Sequence, residues 1–375
     1  MNRERAAWTA IAAVGLLRMA MIALLPAAQD GDYETFLLPW VEHIREHGVV
    51  ASMADEFNNY TPPYIYVLML ISKTGCNPLV GIRVASCVMD YVCALGIGLI
   101  GERWRRGSLL TAMTIVPALP TLLMNSCYWG QCDAFYASAI VFALYFLQEE
   151  RPWASALMLG TAFAFKLQTI FVLPLYFILL MQREGAGLRH LMVAPLPYLV
   201  GIAPEWIAGR DLTQLLTIYA GQGGQYDALT LQCPNIYSLI EIAGPLPTEA
   251  SQAVKLTGMA LVVILTAMAG VMMRRRATER NEIVPMALTS VLCVVMLLPC
   301  MHERYLFVAD VLAVAIYLMR RTKTLPALVI ATSLYAYMMC TRVGAYLPTY
   351  IGFIPFAMAI ALSIKQLTTN KTDKI

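Results

Sequence analysis

Apolar stretches recur along the whole chain, near residues 6–26, 79–100, 108–127, 134–148, 153–165, 167–181, 191–208, 251–273, 283–299, 305–319, 324–341 and 347–364. Crossing about 30 Å of hydrocarbon takes a helix of about 20 residues. In lipid a helix meets every backbone polar group from within its own segment. The pattern therefore predicts an all-α, polytopic transmembrane bundle of about 12 spans (range about 10–13).

The connections between these stretches alternate in chemistry. One set is short and basic: Arg3/Arg5, Arg103/Arg105/Arg106, Arg151, Arg183/Arg189, Arg274/Arg275/Arg276/Arg280, Arg320/Arg321/Lys323 and Lys365/Lys371/Lys374. These make up about two thirds of the 27 Lys and Arg, and the positive-inside rule assigns them to the cytoplasm. The other set is rich in aromatic, amide and acidic residues: 29–78, 128–133, 166–168, 209–250, 299–304 and 341–347. Alternation puts all of these on the opposite face and both termini in the cytoplasm.

Two segments test this parity. Pro62–Ser72 is apolar but short, and its two prolines suit a helix start. It is read as an interfacial helix of the first outer loop, beside another near Tyr33–His47, because a crossing here would switch the side of every later basic loop. Leu157–Leu180 could form one long helix with Lys166 at its centre. A lysine there costs about 2.5–3.5 kcal/mol, so two short helices meeting at Lys166–Gln168 are expected instead.

Composition agrees with the pattern. Hydrophobic residues are 59% and charged residues 14% of the chain, with a mean hydropathy of +0.63. A soluble domain carries about 25% charged residues, so a water-covered surface is excluded. The chain is expected to be a single transmembrane domain over residues 1–375. It would have a first outer loop at 27–78, a second at 209–250 and a free cytoplasmic tail at 368–375. The formal charge of +3 adds little, and no nucleic-acid partner is expected. Nine cysteines lack C-x-x-C spacing and read as small apolar fillers, with Cys127 and Cys132 near enough in sequence for a disulfide. The first apolar stretch is long, contains Arg18 and lacks a small-x-small cleavage site. It is read as a retained anchor.

Polar residues inside such a chain carry the functional signal, and they gather on the predicted outer face. Asp30-Gly31-Asp32-Tyr33-Glu34 follows the first span and offers carboxylates for a general base, although acids here also cap a helix. Asn58-Asn59-Tyr60-Thr61 leads into Pro62. Tyr128-Trp129-Gly130-Gln131-Cys132-Asp133 brings a further acid and an amide; interfacial anchoring accounts for Trp129 alone. Lys166-Leu167-Gln168 adds a cation that could also snorkel. Met301-His302-Glu303-Arg304-Tyr305 packs ionisable groups into one tight connection, and Leu306 in the second-histidine position excludes a zinc-protease motif. Carboxylates beside Lys and Arg suit base catalysis with a phosphate leaving group. A transporter would place its polar groups nearer the midplane.

The strings GDYETFLLPW, NNYTPPYIYV, YWGQCDAFY, AFAFKLQTIFVLP, LTLQCPNIYSLI and LPCMHERYLFVADV, from about residue 30 to 315, resemble the GT-C superfamily of polyprenyl-phosphate-sugar-dependent glycosyltransferases. The nearest likeness is to the bacterial group related to the second mannosyltransferase of GPI-anchor assembly. One departure is Gln232, near which that pattern often has Asn. The resemblance implies an inverting hexosyltransferase, with mannose as the expected sugar and a glycan, lipid or protein as acceptor. It also implies work at the outer face of a bacterial plasma membrane. Matched to this sequence, Asp32 is the catalytic acid of the first outer loop, with Asp30 and Asp133 as second choices. Lys166, His302, Arg304 and, less directly, Arg83 would hold the donor phosphate. Tyr33, Tyr60, Trp129, Gln131, Asp133, Gln168 and Glu303 would line the sugar or acceptor pocket. Such enzymes generally need no divalent metal, and no cofactor beyond the lipid-linked sugar is implied.

Three other classes share parts of this pattern. A flippase or exporter of lipid-linked saccharide would need two-sided access and no catalytic acid. A ligase using a whole lipid-linked glycan would favour a larger outer domain than 209–250. An inactive scaffold of a glycosyltransferase complex would keep the motifs without turnover.

Overall fold

The computed structural model describes residues 2–28, 31–183, 185–222, 227–240, 242, 244, 246–273, 279–339 and 348–368. Helices occur at all twelve expected segments. The order begins with α1 (Asn2–Leu24), α2 (Leu38–His47), α3 (Val49–Ala54), α4 (Pro62–Lys73), α5 (Pro78–Glu102) and α6 (Ser108–Ala118). It continues with the one-turn α7 (Pro120–Leu122), α8 (Asp133–Gln148), α9 (Pro152–Phe165), α10 (Leu173–Gln182), α11 (Leu196–Ala208) and α12 (Leu212–Gln222). After strand β1 (Thr230–Leu231) come α13 (Tyr237–Ile240), α14 (Thr248–Met273) and α15 (Ile283–Leu297). Strand β2 (Met301–His302) precedes α16 (Phe307–Arg320), α17 (Thr324–Met339) and α18 (Phe353–Thr368).

Length divides these helices. Among the described residues, six helical stretches are long and apolar enough to cross a membrane, or seven if the bent pair Ser108–Ala118 and Pro120–Trp129 forms one span. That pair bends by 52° where Pro120 interrupts the ladder. The helices at 133–148, 152–165, 173–182 and 324–339 are apolar but shorter, so the structure does not establish twelve crossings. Thr368 belongs to α18 rather than to a tail, and 369–375 lie outside the described residues.

Local chemistry sets several boundaries. The Asn77 side chain accepts from Leu79 N at 2.9 Å and starts α5 just ahead of Pro78. Pro62 and Pro63 open α4 as expected. Lys166 adopts an extended backbone, φ −157 and ψ 136, and ends α9. A single turn of 3-10 helix, Leu167–Phe171, then leads to α10. The expected break at Lys166 is therefore present.

The tight core lies along α5, α8, α15 and α16, whose side chains are mostly buried. Helices α2 and α4 form a second cluster, Trp40, Val41, Ile44, Tyr64, Ile65 and Leu68, against Ile82 and Phe135. Helix α14 is mostly exposed, with Leu256, Val263 and Met272 open.

The ends of the bundle differ in charge. Arg103 pairs with Glu149, Arg280 with Glu150, and Arg320 Nη2 lies 2.9 Å from Glu282 Oε1. These groups sit at the C-terminal ends of α5, α8 and α16 and at the start of α15. Helix α8 leads from that end to Asp133 over about 24 Å, at 1.5 Å per residue. Helix α9 leads to Lys166, and α15 leads toward His302. The described basic residues Arg103, Arg280 and Arg320 thus lie at the end opposite Asp133, Lys166 and His302.

The strands were not expected. Thr230 and Leu231 pair in parallel with Met301 and His302. Cys300 N donates to Leu229 O at 2.8 Å, and Glu303 N to Leu231 O at 3.0 Å. This short ladder fastens the second large loop to the His302–Arg304 turn.

Candidate active site

Far-separated segments meet at the end opposite the arginines. Asp32 Oδ2 accepts from Gln131 Nε2 at 2.9 Å and lies 3.4 Å from Arg304 Nη1. Lys166 Nζ reaches Asp133 Oδ1 at 2.5 Å. Arg304 Nη1 also lies 3.0 Å from Glu303 Oε1, and His302 Nδ1 is 3.6 Å from Glu303 Oε2. The segment after α1, the α8 entrance, the α9–α10 break and the β2 turn thus form one charged cluster.

A cavity of about 650 Å³ opens beside it. Asp32, Tyr60, Gln131, Lys166, Gln168, His302 and Arg304 all line it. Its remaining wall is largely apolar, with Phe36, Trp40, Ile170, Phe171, Leu256 and Met259. Asp32 is the only carboxylate among the described lining residues, and its side chain is 29% exposed.

The other expected site residues are placed differently. Asp133 is fully buried behind the cations and does not line the cavity. Glu303 is buried against His302 and Arg304 rather than in the wall. Tyr33 is buried in the α2–α4 cluster. Trp129 is buried and meets the Tyr337 ring edge-on at 5.9 Å. Arg83 is the clearest departure: it donates to the carbonyls of Leu25 at 2.7 Å, Pro26 at 2.5 Å and Tyr128 at 2.5 Å. It ties the end of α1 to the turn before Gly130 and is absent from the cavity wall. Asp30 lies outside the described residues. Cys127 faces Cys87, with Sγ atoms 3.4 Å apart, rather than Cys132, and both are free thiols.

The string Trp129–Asp133 makes three separate contacts. Trp129 packs on Tyr337, Gln131 holds Asp32 and Asp133 holds Lys166. Gly130 makes the turn between them at φ +75, where an added Cβ would lie 3.1 Å from Ile82 Cγ2.

Burial and charge set the protonation states at the β2 turn. Burial alone would raise the Glu303 carboxyl, but the hydrogen bond from His302 and the charge of Arg304 hold it down at about 2. His302 is pushed below its usual value, first by burial and then by Arg304, against an upward pull from Glu303. At neutral pH it is therefore an uncharged hydrogen-bonding group. Burial acts against the charge on Lys166, but Asp133 outweighs it and raises the ammonium above its usual value. Arg304 is raised in the same way by Glu303, Asp32 and Asp133. The cluster keeps two permanent cations beside one accessible carboxylate.

Sequence reasoning missed Asn125 and Tyr337, which contact Asp133 directly or through one another. An amide inside the apolar stretch 108–127 was a readable signal for Asn125; Tyr337 gave none. It also missed Tyr219, Gln222, Gln252 and Lys255 in the cavity wall.

The fold and site define a helical protein of membrane character, with a largely apolar cavity at one end whose described lining carries the Asp32 carboxylate and the cations Lys166, Lys255 and Arg304. The model of glycosyltransferase family 87 matches residues 57–299, more than half of the chain's 375 residues. The chain belongs to that family and is a glycosyltransferase. The match covers Tyr60, the Trp129–Asp133 string and Lys166, and lies between Asp32 and the His302–Arg304 turn. No curated protein matches the chain.

Proposed function

We propose that this glycosyltransferase moves a hexose, mannose in the first instance, from a polyprenyl-phosphate carrier to a glycan, lipid or protein hydroxyl, with inversion at the anomeric carbon. The observation that carries the reading is the pairing of Asp32 with Arg304 at 3.4 Å, in a cavity that also holds Lys166. Asp32 removes the acceptor hydroxyl proton as that oxygen bonds to the anomeric carbon. The bond from that carbon to the phosphate oxygen breaks with its electron pair, and the phosphate leaves ionised. Lys166 and Arg304 stabilise the charge that develops there, and neutral His302 contributes a hydrogen bond. One lining carboxylate suffices, because a phosphate leaving group needs no general acid.

The apolar surroundings favour a lipid-linked donor over a nucleotide sugar. Next to the cavity, and sharing Ile170 with it, is an apolar groove of about 490 Å³ between α10 and α14. Phe177, Ile178, Met181, Val262, Val263 and Val271 line it, and these would accommodate a polyprenyl chain. The separation of this end from the arginine-rich end supports an extracytoplasmic site by the positive-inside rule.

The test supplies the purified full chain with polyprenyl-phosphomannose, other polyprenyl-phosphate hexoses or nucleotide sugars, together with a panel of acceptors. Free polyprenyl phosphate and the glycosylated product are followed by mass spectrometry. Release from polyprenyl-phosphomannose supports the reading in full. Release from another lipid-linked hexose corrects the sugar. Turnover of nucleotide sugars alone overturns the donor class.

A further inference from the structure

Behind the cavity wall lies a buried polar layer that the transfer step does not itself use. Asp133 Oδ1 takes Lys166 Nζ at 2.5 Å, and its Oδ2 takes Asn125 Nδ2 at 2.8 Å. The same Oδ2 faces Arg304 Nε at 3.9 Å. Asn125 Nδ2 also donates to the Tyr337 hydroxyl at 2.9 Å. Asp133, Asn125 and Tyr337 are all fully buried. They come from three separate elements: the start of α8, the π-helical turn 123–129, and α17.

A lysine is a point charge on a flexible four-carbon stem, so its position in a cavity depends on what anchors it. Asp133 provides that anchor on the side away from the substrate space. The carboxylate needs fixing in turn, and Asn125 fixes it. With its amide nitrogen shared between Tyr337 and Asp133, Asn125 presents a donor to the carboxylate. The flipped amide would set oxygen against oxygen.

We infer that Asp133 is the buried counter-ion that sets the spacing of Lys166 and Arg304 for the donor phosphate, and that Asn125 and Tyr337 are positioning residues acting through it. This rests on the lipid-phosphate reading above. It assigns Asp133 to neither base catalysis nor sugar contact, and it gives Asn125 and Tyr337 an effect on donor handling although neither lines the cavity.

The experiment compares the full-length wild type with Asn125→Ala, Tyr337→Phe and the double variant. It measures the Michaelis constants for polyprenyl-phosphomannose and for the acceptor, and the affinity for polyprenyl phosphate itself. Loss of one hydrogen bond to a buried charge is expected to raise the donor constant about tenfold in Asn125→Ala and to weaken polyprenyl phosphate binding to match. Tyr337→Phe should give about threefold, the acceptor constant should hold, and the double variant should be no worse than Asn125→Ala because the two act in series. A merely structural role would lower kcat with the active fraction and leave both Michaelis constants unchanged; that result overturns the inference. Multiplying effects in the double variant overturn the serial arrangement. Should Asn125→Ala fail to fold, Tyr337→Phe with an unchanged donor constant overturns it alone. A wild type that binds no polyprenyl phosphate refutes the lipid-phosphate reading, and this inference falls with it.

Discussion

Replacing Lys166 by methionine removes one partner of the most buried ion pair in the site. Lys166 is 6% exposed and Asp133 is not exposed at all, so water cannot take the place of the ammonium. Breaking a buried pair from one side costs about 3–5 kcal/mol, because the remaining charge is left in a low dielectric. Asp133 would keep Asn125 at 2.8 Å and Arg304 at 3.9 Å, which sets the expectation at the lower end, about 3 kcal/mol. Removing both charges, in Lys166→Met with Asp133→Leu, should recover part of that loss, up to about 2 kcal/mol. The residue is the Asn125 amide without its carboxylate, about 1–3 kcal/mol, while Arg304 retains Asp32 and Glu303. Unfolding by SDS in mixed micelles, followed by circular dichroism, reads all three proteins. Transfer should be lost in both variants. A single variant within 1 kcal/mol of wild type, or a double variant less stable than the single, would refute the buried-pair account.

Four further expectations follow from the same contacts. Ala267→Trp places a large ring in the groove between α10 and α14; it should raise the Michaelis constant for long-chain donors about tenfold and leave a short-chain analogue unaffected, and equal effects on both would exclude the groove. Gly160→Ala should destabilise by about 1–3 kcal/mol, because the added Cβ would meet the Ala194 carbonyl oxygen at 1.9 Å; thermal unfolding measures it. Glu303 is depressed from 4.5 to about 2 in the folded chain, so its contribution, on the order of 3 kcal/mol, is complete above pH 4.5 and is lost as pH falls toward 2. Glu303→Gln should flatten stability across that acid window, as read by unfolding at stepped pH. Arg83→Met should reduce stability while leaving the donor Michaelis constant within about twofold, since its guanidinium serves carbonyls rather than the cavity.

Much of the framework was legible because hydropathy and loop charge follow directly from solvation. The twelve helical positions, the helix starting at Pro62 and the break at Lys166 all came from the cost of placing charge or open backbone in hydrocarbon. Parity put Asp32, Lys166 and Arg304 on one face, and the family resemblance grouped them in one site. Finer features were not readable. The β1–β2 ladder is a backbone match between residues about 70 apart, with no side-chain pattern to announce it. Gln232 sits there at φ +62, a left-handed conformation that asparagine adopts more readily; the departure from the resembled pattern near this position thus has a backbone correlate. Arg83 faces backbone carbonyls, and Asp133 meets Lys166 and Asn125 from behind the cavity wall. Which way a charged side chain faces depends on neighbours that local sequence does not specify. The positions of the helices were legible but the number that cross was not, because short apolar helices such as 133–148 and 152–165 share the hydropathy of full spans.

The central claim is that Asp32 is the base of a transfer whose leaving group sits on Lys166 and Arg304. The most direct test measures single-turnover release of polyprenyl phosphate by Asp32→Asn, with donor affinity determined on the same preparation. Release should fall by at least about a thousandfold, within the range expected for loss of a general base, while donor affinity stays within a few-fold of wild type. Unchanged release with intact binding would contradict the account and assign the base elsewhere.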